Sequence, residues 1–377
     1  MDKQNYTLRG IEIQVLKENC SLLSDKLTEE LEAQILKRKR VLKSLDLLVK
    51  AIFVYITEQL SFQRLSDRMA CQHGVVMSDT ARRKQILKAA PILVEWVLRQ
   101  QKDTKPEGSA QTTLGFSNVN AIDATDLPVQ GGKTTSRRIH TIFSITEHRC
   151  VYAEVTDRHG GERLNRFPLQ QNALYFADRA YGRTPQLACA IKQKAHIVAR
   201  ISPRHVSFYT APDCKEKISF PSLLKGTSFS ADAYFKSGKK KYHIRLLGAK
   251  LPEEKHAAAE KRARRKASRN QRKISPETVL YTQWVFLAAT LPDSCSDAEI
   301  MEAYRLRWQV ELYFKRVKSL LNFHKLRRSC DDYKNAVVSL WITVSFLVSC
   351  IQLWILVLTD FSISDFNAFS LAKCFFA

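Results

Sequence analysis

The feature that most constrains the fold is a change of hydrophobic period near residue 115. Before it, apolar residues recur at helical spacing around Ile11–Leu36 and Leu45–Tyr55, and Asp103–Thr113, with Pro106, Gly108 and Ser109, reads as a linker. After it come short apolar or alternating runs: Val119–Asp123, a hairpin of Ile139–Thr146 and Cys150–Val155 around Glu147-His148-Arg149, then Leu174–Asp178. A helix over Pro185–Lys194 and an apolar strand over His196–Ala199 follow. Strands interleaved with helices need a sheet whose faces are covered, so the expected class is α/β.

Strand, hairpin, strand, helix, strand is the order expected of an RNase H-like core, and two of these strands end in a carboxylate, Asp123 and Asp178. Over 201–282 the composition shifts to β-like pieces, Ser228–Phe235 and Tyr242–Leu247, and then to a basic run that includes Lys261, Arg262, Arg264, Arg265 and Lys266. This stretch reads as a β-rich insertion whose basic run is either a phosphate contact or a solvated helix. Trp284–Ala289 resumes a buried core strand, with Trp284 packed inside it. The expected organisation is a helical N-terminal DNA-binding domain (1–110), a first part of the core (115–200), the insertion (201–282), a second part of the core (283–360) and a tail (361–377) that fits no motif.

Ser296 and Glu299 have the spacing of a capping box and start a long helix. On it Tyr304, Arg307, Glu311 and Lys318 fall at offsets of three, seven and fourteen, within an arc of roughly 60° at 100° per residue. Leu306, Val310, Tyr313, Phe314, Val317, Leu320 and Leu321 project the other way, as a core-facing side should. One carboxylate among cations suits a metal ion and a phosphate. Taken alone, Glu311 could equally pair with Arg307 or Lys315 in a surface salt bridge.

Charge narrows the partners. Sixty Lys and Arg against 37 acids leave a formal net charge of +23, a field that attracts polyanions, with DNA or RNA first and an anionic membrane surface second. The N-terminal helices offer a candidate DNA-binding unit: one helix over Ser61–Ala70, a turn at Gly74–Met77, and a second helix capped by Ser78 that carries Arg82, Arg83 and Lys84. This is a helix-turn-helix in outline, or the basic edge of a small helical bundle. Nine cysteines, scattered and without a C-x-x-C pair, fit free thiols in a reducing cytosol. The polar start Met1–Gly10 has no signal-peptide pattern. The charge-free run from Ala336 to Thr359 is long enough to span a bilayer, but Ser339, Thr343, Ser345, Ser349 and Gln352 interrupt it and a buried helix is the preferred reading. The expected setting is the cytoplasm, at the nucleoid, with no membrane.

Three carboxylates on different elements, Asp123, Asp178 and Glu311, are the donor set that phosphodiester chemistry with two divalent cations requires. Tyr304-x₂-Arg307-x₃-Glu311-x₆-Lys318 resembles, at every spacing, the Y-R-E-K signature of the IS-four-type transposases, the DDE enzymes of bacterial insertion sequences. Ile122-Asp123-Ala124-Thr125 resembles that family's first aspartate box and Ala177-Asp178-Arg179-Ala180-Tyr181 its second, over roughly residues 115–330. Ala124 and Ala180 stand where the family usually has Gly, and Asp126 contests the role of Asp123.

The resemblance implies DNA cleavage and strand transfer at the ends of the element, with Asp123, Asp178 and Glu311 holding two Mg²⁺ ions, for which Mn²⁺ can substitute. Tyr304, Arg307 and Lys318 would hold terminal phosphates, and Arg179 is a phosphate contact or a structural residue. A homodimer on double-stranded DNA is expected. The rival readings are an RNase H-fold endonuclease without strand transfer and a non-enzymatic DNA-binding repressor.

Overall fold

The computed structural model describes residues 29, 32–36, 44–58, 60–103, 114–129, 135–147, 149–320 and 333–342. Most of the helix expected over Ile11–Leu36, the linker after Asp103, the apolar run beyond residue 342 and the tail 361–377 lie outside these residues. The chain divides into two compact units. One comprises Met1–Lys105, Asp126–Arg138 and Phe314–Ala377; the other comprises Pro106–Thr125 and Ile139–Tyr313.

In the first unit three helices follow one another: α1 (Leu45–Thr57), α2 (Phe62–His73) and α3 (Asp79–Asp103). Ser44 and Ser61 cap the first two, their hydroxyls accepting from the N–H groups of Leu47 and Arg64. Gly74 ends α2 in the left-handed region (φ 64°), where a side chain would be strained, and its N–H returns to the Ala70 carbonyl at 3.0 Å. Leu48 and Ile52 of α1, Leu65 and Met69 of α2, and Ile86, Ala89 and Ala90 of α3 are buried. Helical residues 333–342 bury Val338 and Leu340, and the Tyr333 hydroxyl lies 2.6 Å from that of Tyr55. Among the described residues no helix is long and apolar enough to cross a membrane.

Among the described residues the sheet has eight strands in the order β3-β2-β1-β4-β5-β8-β7-β6. They are β1 (Val119–Pro128), β2 (Thr135–Ser144), β3 (Arg149–Asp157), β4 (Leu174–Ala177), β5 (His196–Arg200), β6 (Ser228–Ser237), β7 (Lys240–Lys250) and β8 (Trp284–Ala289). β1, β4 and β5 are mutually parallel, and β8 and β7 continue antiparallel from β5. All four residues of β4 are buried, as a central strand covered on both faces requires. Helix α4 (Thr184–Lys192) makes the crossover from β4 to β5, burying Leu187, Ala188 and Ala190.

Within 201–282, β6 and β7 form a hairpin that extends the same sheet through β8. A one-turn helix, α5 (Phe220–Leu223), precedes them. The basic run is helical: α6 (Glu253–Arg269) holds Lys261, Arg262, Arg264, Arg265 and Lys266 exposed, and α7 (Pro276–Thr282) leads back into β8. Trp284 is 3% exposed and packs on Phe229 and Phe286, so it is a core residue, as its neighbours in sequence suggested.

Candidate catalytic site

Register brings the two aspartates together. Ile122 pairs with Ala177 as the last rung of the β1–β4 ladder, so Asp123 and Asp178 follow it level with each other, with strand axes about 4.8 Å apart. Asp123 does not end its strand, as the sequence suggested: β1 runs on to Pro128. Its polar residues hid this, and β2 supplies the partner that keeps them extended. Asp123 is half-buried, and its carboxylate accepts from the Ala124 N–H at 2.8 Å. Asp126, an odd number of residues further, projects to the other side of the strand. It pairs instead with Arg138 at 2.7 Å and is half exposed. Neither Ala124 nor Ala180 has a positive φ, so alanine in place of glycine costs no backbone strain there.

The third carboxylate arrives on a broken helix. The capping box forms as expected and starts α8 (Asp297–Ala303), but Tyr304–Arg307 is a 3₁₀ turn before α9 (Trp308–Leu320), not part of one continuous α-helix. Tyr304 anchors the turn by donating its hydroxyl to the Ala177 carbonyl at 3.1 Å, at the end of β4. With three residues per turn, Tyr304 and Arg307 eclipse on one side. The Arg307 guanidinium lies 5.8 Å from the Tyr304 ring centroid and donates to Glu311 at 2.5 Å. Val310 and Phe314 of α9 are buried.

Electrostatics ties these groups into one cluster. Burial pushes Asp123 up to about 7; Asp178 and Glu311 add to the rise, while the Ala124 N–H and Arg307 oppose it. Burial likewise raises Tyr304 to about 12, keeping it a hydroxyl donor. Burial alone would lower Arg307, but Tyr304, Glu311 and Asp178 outweigh it and hold the guanidinium charged.

One further cation was missed by sequence reading. Arg200, the last residue of β5, lies near enough to act electrostatically on Arg179 and Tyr304, and its Nε is buried with no hydrogen-bond partner. Nη1 of Arg307 is in the same condition. No local sequence signal marks it: only the pairing of β4 with β5 sets Arg200 level with Asp178.

Among the described residues no three His, Cys, Asp or Glu side chains stand close enough together to hold a metal ion. Nη2 of Arg307 occupies Glu311 instead. The donor set nevertheless fits a divalent cation. Its donors are hard oxygens of three carboxylates, and Asp178 and Glu311 both act electrostatically on the buried Asp123.

Other expected site residues lie elsewhere. Lys318 is in the last turn of α9, in the segment that belongs to the first unit. Arg179 is exposed on the turn after β4. Arg83 is exposed on α3 with its guanidinium over the Tyr333 ring, whereas Arg82, expected as a surface contact for DNA, is fully buried and donates to the Val75 carbonyl at 3.3 Å. Arg82 therefore helps hold the α2–α3 turn, and burial takes its guanidinium below its usual range.

The raised pKa of Asp123 has a sign that can be tested. Unfolded aspartate loses its proton near pH 4 and the folded carboxyl near pH 7, so stability falls as pH rises through that window and stays lower above it. Asp123→Asn is expected to stabilise the metal-free protein by about 2–4 kcal/mol at pH 8 and by little at pH 4. Thermal unfolding at both pH values checks this; a gain equal at the two would contradict it.

An α/β sheet that sets Asp123 and Asp178 level on adjoining strands, with Tyr304 bonded to the end of one of them ahead of Arg307 and Glu311, has the groups that the class of DDE nucleic-acid enzymes calls for. Comparison is more specific: residues 114–349 match the transposase DDE domain family, and the chain belongs to it. It is similar to the transposase for insertion sequence element IS421 of Escherichia coli, 27% identical over 337 residues that cover 85% of this chain and 88% of the relative. It is also similar to the protein named as transposase InsL for insertion sequence element IS186A in Escherichia coli (strain K12), at 26% over 336 residues with the same coverage. The IS-four-type resemblance of the Y-R-E-K residues agrees with both.

Proposed function

We propose that this chain cuts DNA at the ends of an insertion sequence and transfers the freed strands to a target. The single observation that carries this reading is the convergence of Asp123, Asp178 and Glu311 from three elements, with Arg307 among them. The order β3-β2-β1-β4-β5 within the sheet supports an RNase H-like core. The α2–α3 pair, joined by a tight turn at Gly74, supports a helix-turn-helix in which Arg83 and Lys84, exposed on α3, face DNA.

Asp123, Asp178 and Glu311 would hold two divalent cations, Mg²⁺ or Mn²⁺, with Asp123 next to both other carboxylates. Such ions, when bound, supply Lewis-acid activation of the attacking oxygen and stabilisation of the leaving one. The protein's own groups position the substrate. Arg307, released from Glu311 as that carboxylate takes its new role, offers a planar fork to a DNA phosphate, and Arg200 offers a second one from the end of β5. Tyr304, kept protonated by burial, holds the 3₁₀ turn against β4 and so fixes the distance between Glu311 and the aspartates. Lys318 and Arg179 would add point charges along the backbone, and Lys261–Lys266 of α6 would neutralise phosphates without reading bases. A homodimer on paired ends is the assembly proposed.

The deciding experiment incubates purified protein with a duplex carrying the element's end, a supercoiled target plasmid and Mg²⁺. End cleavage followed by joined product is expected. Cleavage that never yields a joined product would reduce the reading to an endonuclease, and end binding without cleavage would leave a repressor.

A further inference from the structure

The hairpin of β6 and β7 carries a charged face that no part of the proposed catalytic chemistry uses. Its two sides are set by the strand period. Ala233, Phe235 and Ile244 point inward and are fully or nearly fully buried, while Asp232, Lys236, Lys241 and His243 point outward and are exposed. The register sets Tyr234 opposite His243 and, one outward rung nearer the turn, Lys236 opposite Lys241. The turn adds Lys239 and Lys240, both exposed.

A like-charged pair directly across two strands weakens a hairpin, because the side chains stand closest there. Nothing on this face compensates. Asp232, the one acid among the outward residues 232–245, is engaged by His243 at 2.9 Å, and Arg245 is turned toward Asp297 and the Pro292 carbonyl. Among the described residues Lys236, Lys239, Lys240 and Lys241 have no acidic partner; Lys236 lies instead over the Tyr209 ring, 5.2 Å from its centroid. Nor is β6 free to receive another strand at its middle, since Tyr209 and Tyr234 exchange both backbone hydrogen bonds at 2.8 and 2.9 Å. The surface is thus cationic, and closed to strand addition at the middle of β6.

Its position separates it from the carboxylates. Ala177 at the end of β4 is level with Ala199, Ala288 and Leu246 across the sheet. Lys241 precedes Leu246 by five residues on a strand parallel to β5, so it lies roughly 17 Å back along the strands and about 14 Å across them. The lysines are at the opposite end of the sheet from Asp123 and Asp178.

We infer that Lys236, Lys239, Lys240 and Lys241 form a second, sequence-independent docking surface for duplex DNA, distinct from the cleavage site. The occupant is a phosphate backbone: ammonium groups are compact point charges suited to phosphate oxygens, and residues 236–241 hold no Arg, Asn or Gln for a planar two-bond contact with a base. The inference rests on the proposed action on DNA, and identifies a stretch of duplex other than the one being cut.

The test replaces all four lysines with Gln in the full chain and, separately, with Arg. Binding is measured without divalent cation, on duplexes with and without the end sequence, from 0.05 to 0.3 M salt (~0.05–0.3 M spans the sensitive range). The Gln variant is expected to bind both duplexes about tenfold to a hundredfold more weakly, with a salt slope about 3 units shallower, and the Arg variant to bind normally. Nicking by the Gln variant at saturating end DNA should keep the wild-type rate. Unchanged affinity and slope in the Gln variant would overturn the inference, as would a loss confined to the end sequence. Because binding is read without cutting, wild-type protein that binds duplex through these lysines yet never cleaves would sink only the catalytic reading.

Discussion

Glu311→Gln is expected to lower DNA cleavage by about 10³-fold or more, equivalent to at least ~4 kcal/mol of transition-state stabilisation. Asp178→Asn and Asp123→Asn should do the same, all three retaining affinity for end DNA. Each substitution keeps volume and removes one carboxylate from a cluster in which Asp123 feels both of the others. Asp126→Asn is the internal control. Its side chain pairs with Arg138 on the other side of β1, where an exposed ion pair contributes at most ~1 kcal/mol. A gel assay of nicked end DNA separates the two behaviours. Equal loss in the Asp126 and Asp123 variants would break the assignment of the first aspartate.

Gly182→Ala should produce the second large effect, this time through the backbone. A Cβ at Gly182 would sit 2.0 Å from the carbonyl oxygen of Arg200 and 3.1 Å from Cγ2 of Ile201. The obstacle is main chain at the end of β5, which cannot swing aside as a side chain would. Gly182 closes the turn after β4, where the N–H groups of Tyr181 and Gly182 return to the carbonyls of Asp178 and Arg179 at 3.0 and 3.2 Å. Relief must therefore come from moving that turn, and with it Asp178, or from moving Arg200. A stability loss of about 3 kcal/mol is expected, with cleavage reduced in the fraction that still folds. Gly226→Ala, whose Cβ would meet nothing nearer than 4.0 Å, should be neutral. Denaturant unfolding of the two variants measures the difference; comparable stability would mean that the turn has room to adjust.

How far the site could be read in advance depended on the range of the forces that make each part. The capping box at Ser296 and Glu299 formed as written, and β8 begins and ends at the residues its apolar run indicated, since both signals are local. Periodicity failed at Tyr304–Arg307, because four residues cannot distinguish a 3.6-residue from a 3.0-residue turn. The tighter form is held by a bond to Ala177, far away in sequence. It failed again at Arg82, whose position on α3 turns inward under the Val75 carbonyl while its neighbour Arg83 faces out. Arg200 escaped notice because nothing nearby in sequence marks it; only strand order sets it beside Asp178.

By itself the sequence determined the chemistry on offer: an α/β chain of net charge +23, three carboxylates in order, and a Tyr-Arg-Glu-Lys spacing that resembles the IS-four-type transposases. These are matters of composition, period and short-range spacing. Only the tertiary structure set Asp123 level with Asp178 and paired Asp126 with Arg138, joined the β6–β7 hairpin to the main sheet, and set its lysines at the end away from the carboxylates. Coulombic coupling, burial and cross-strand pairing act between residues distant in the chain, and register alone determines which of them meet.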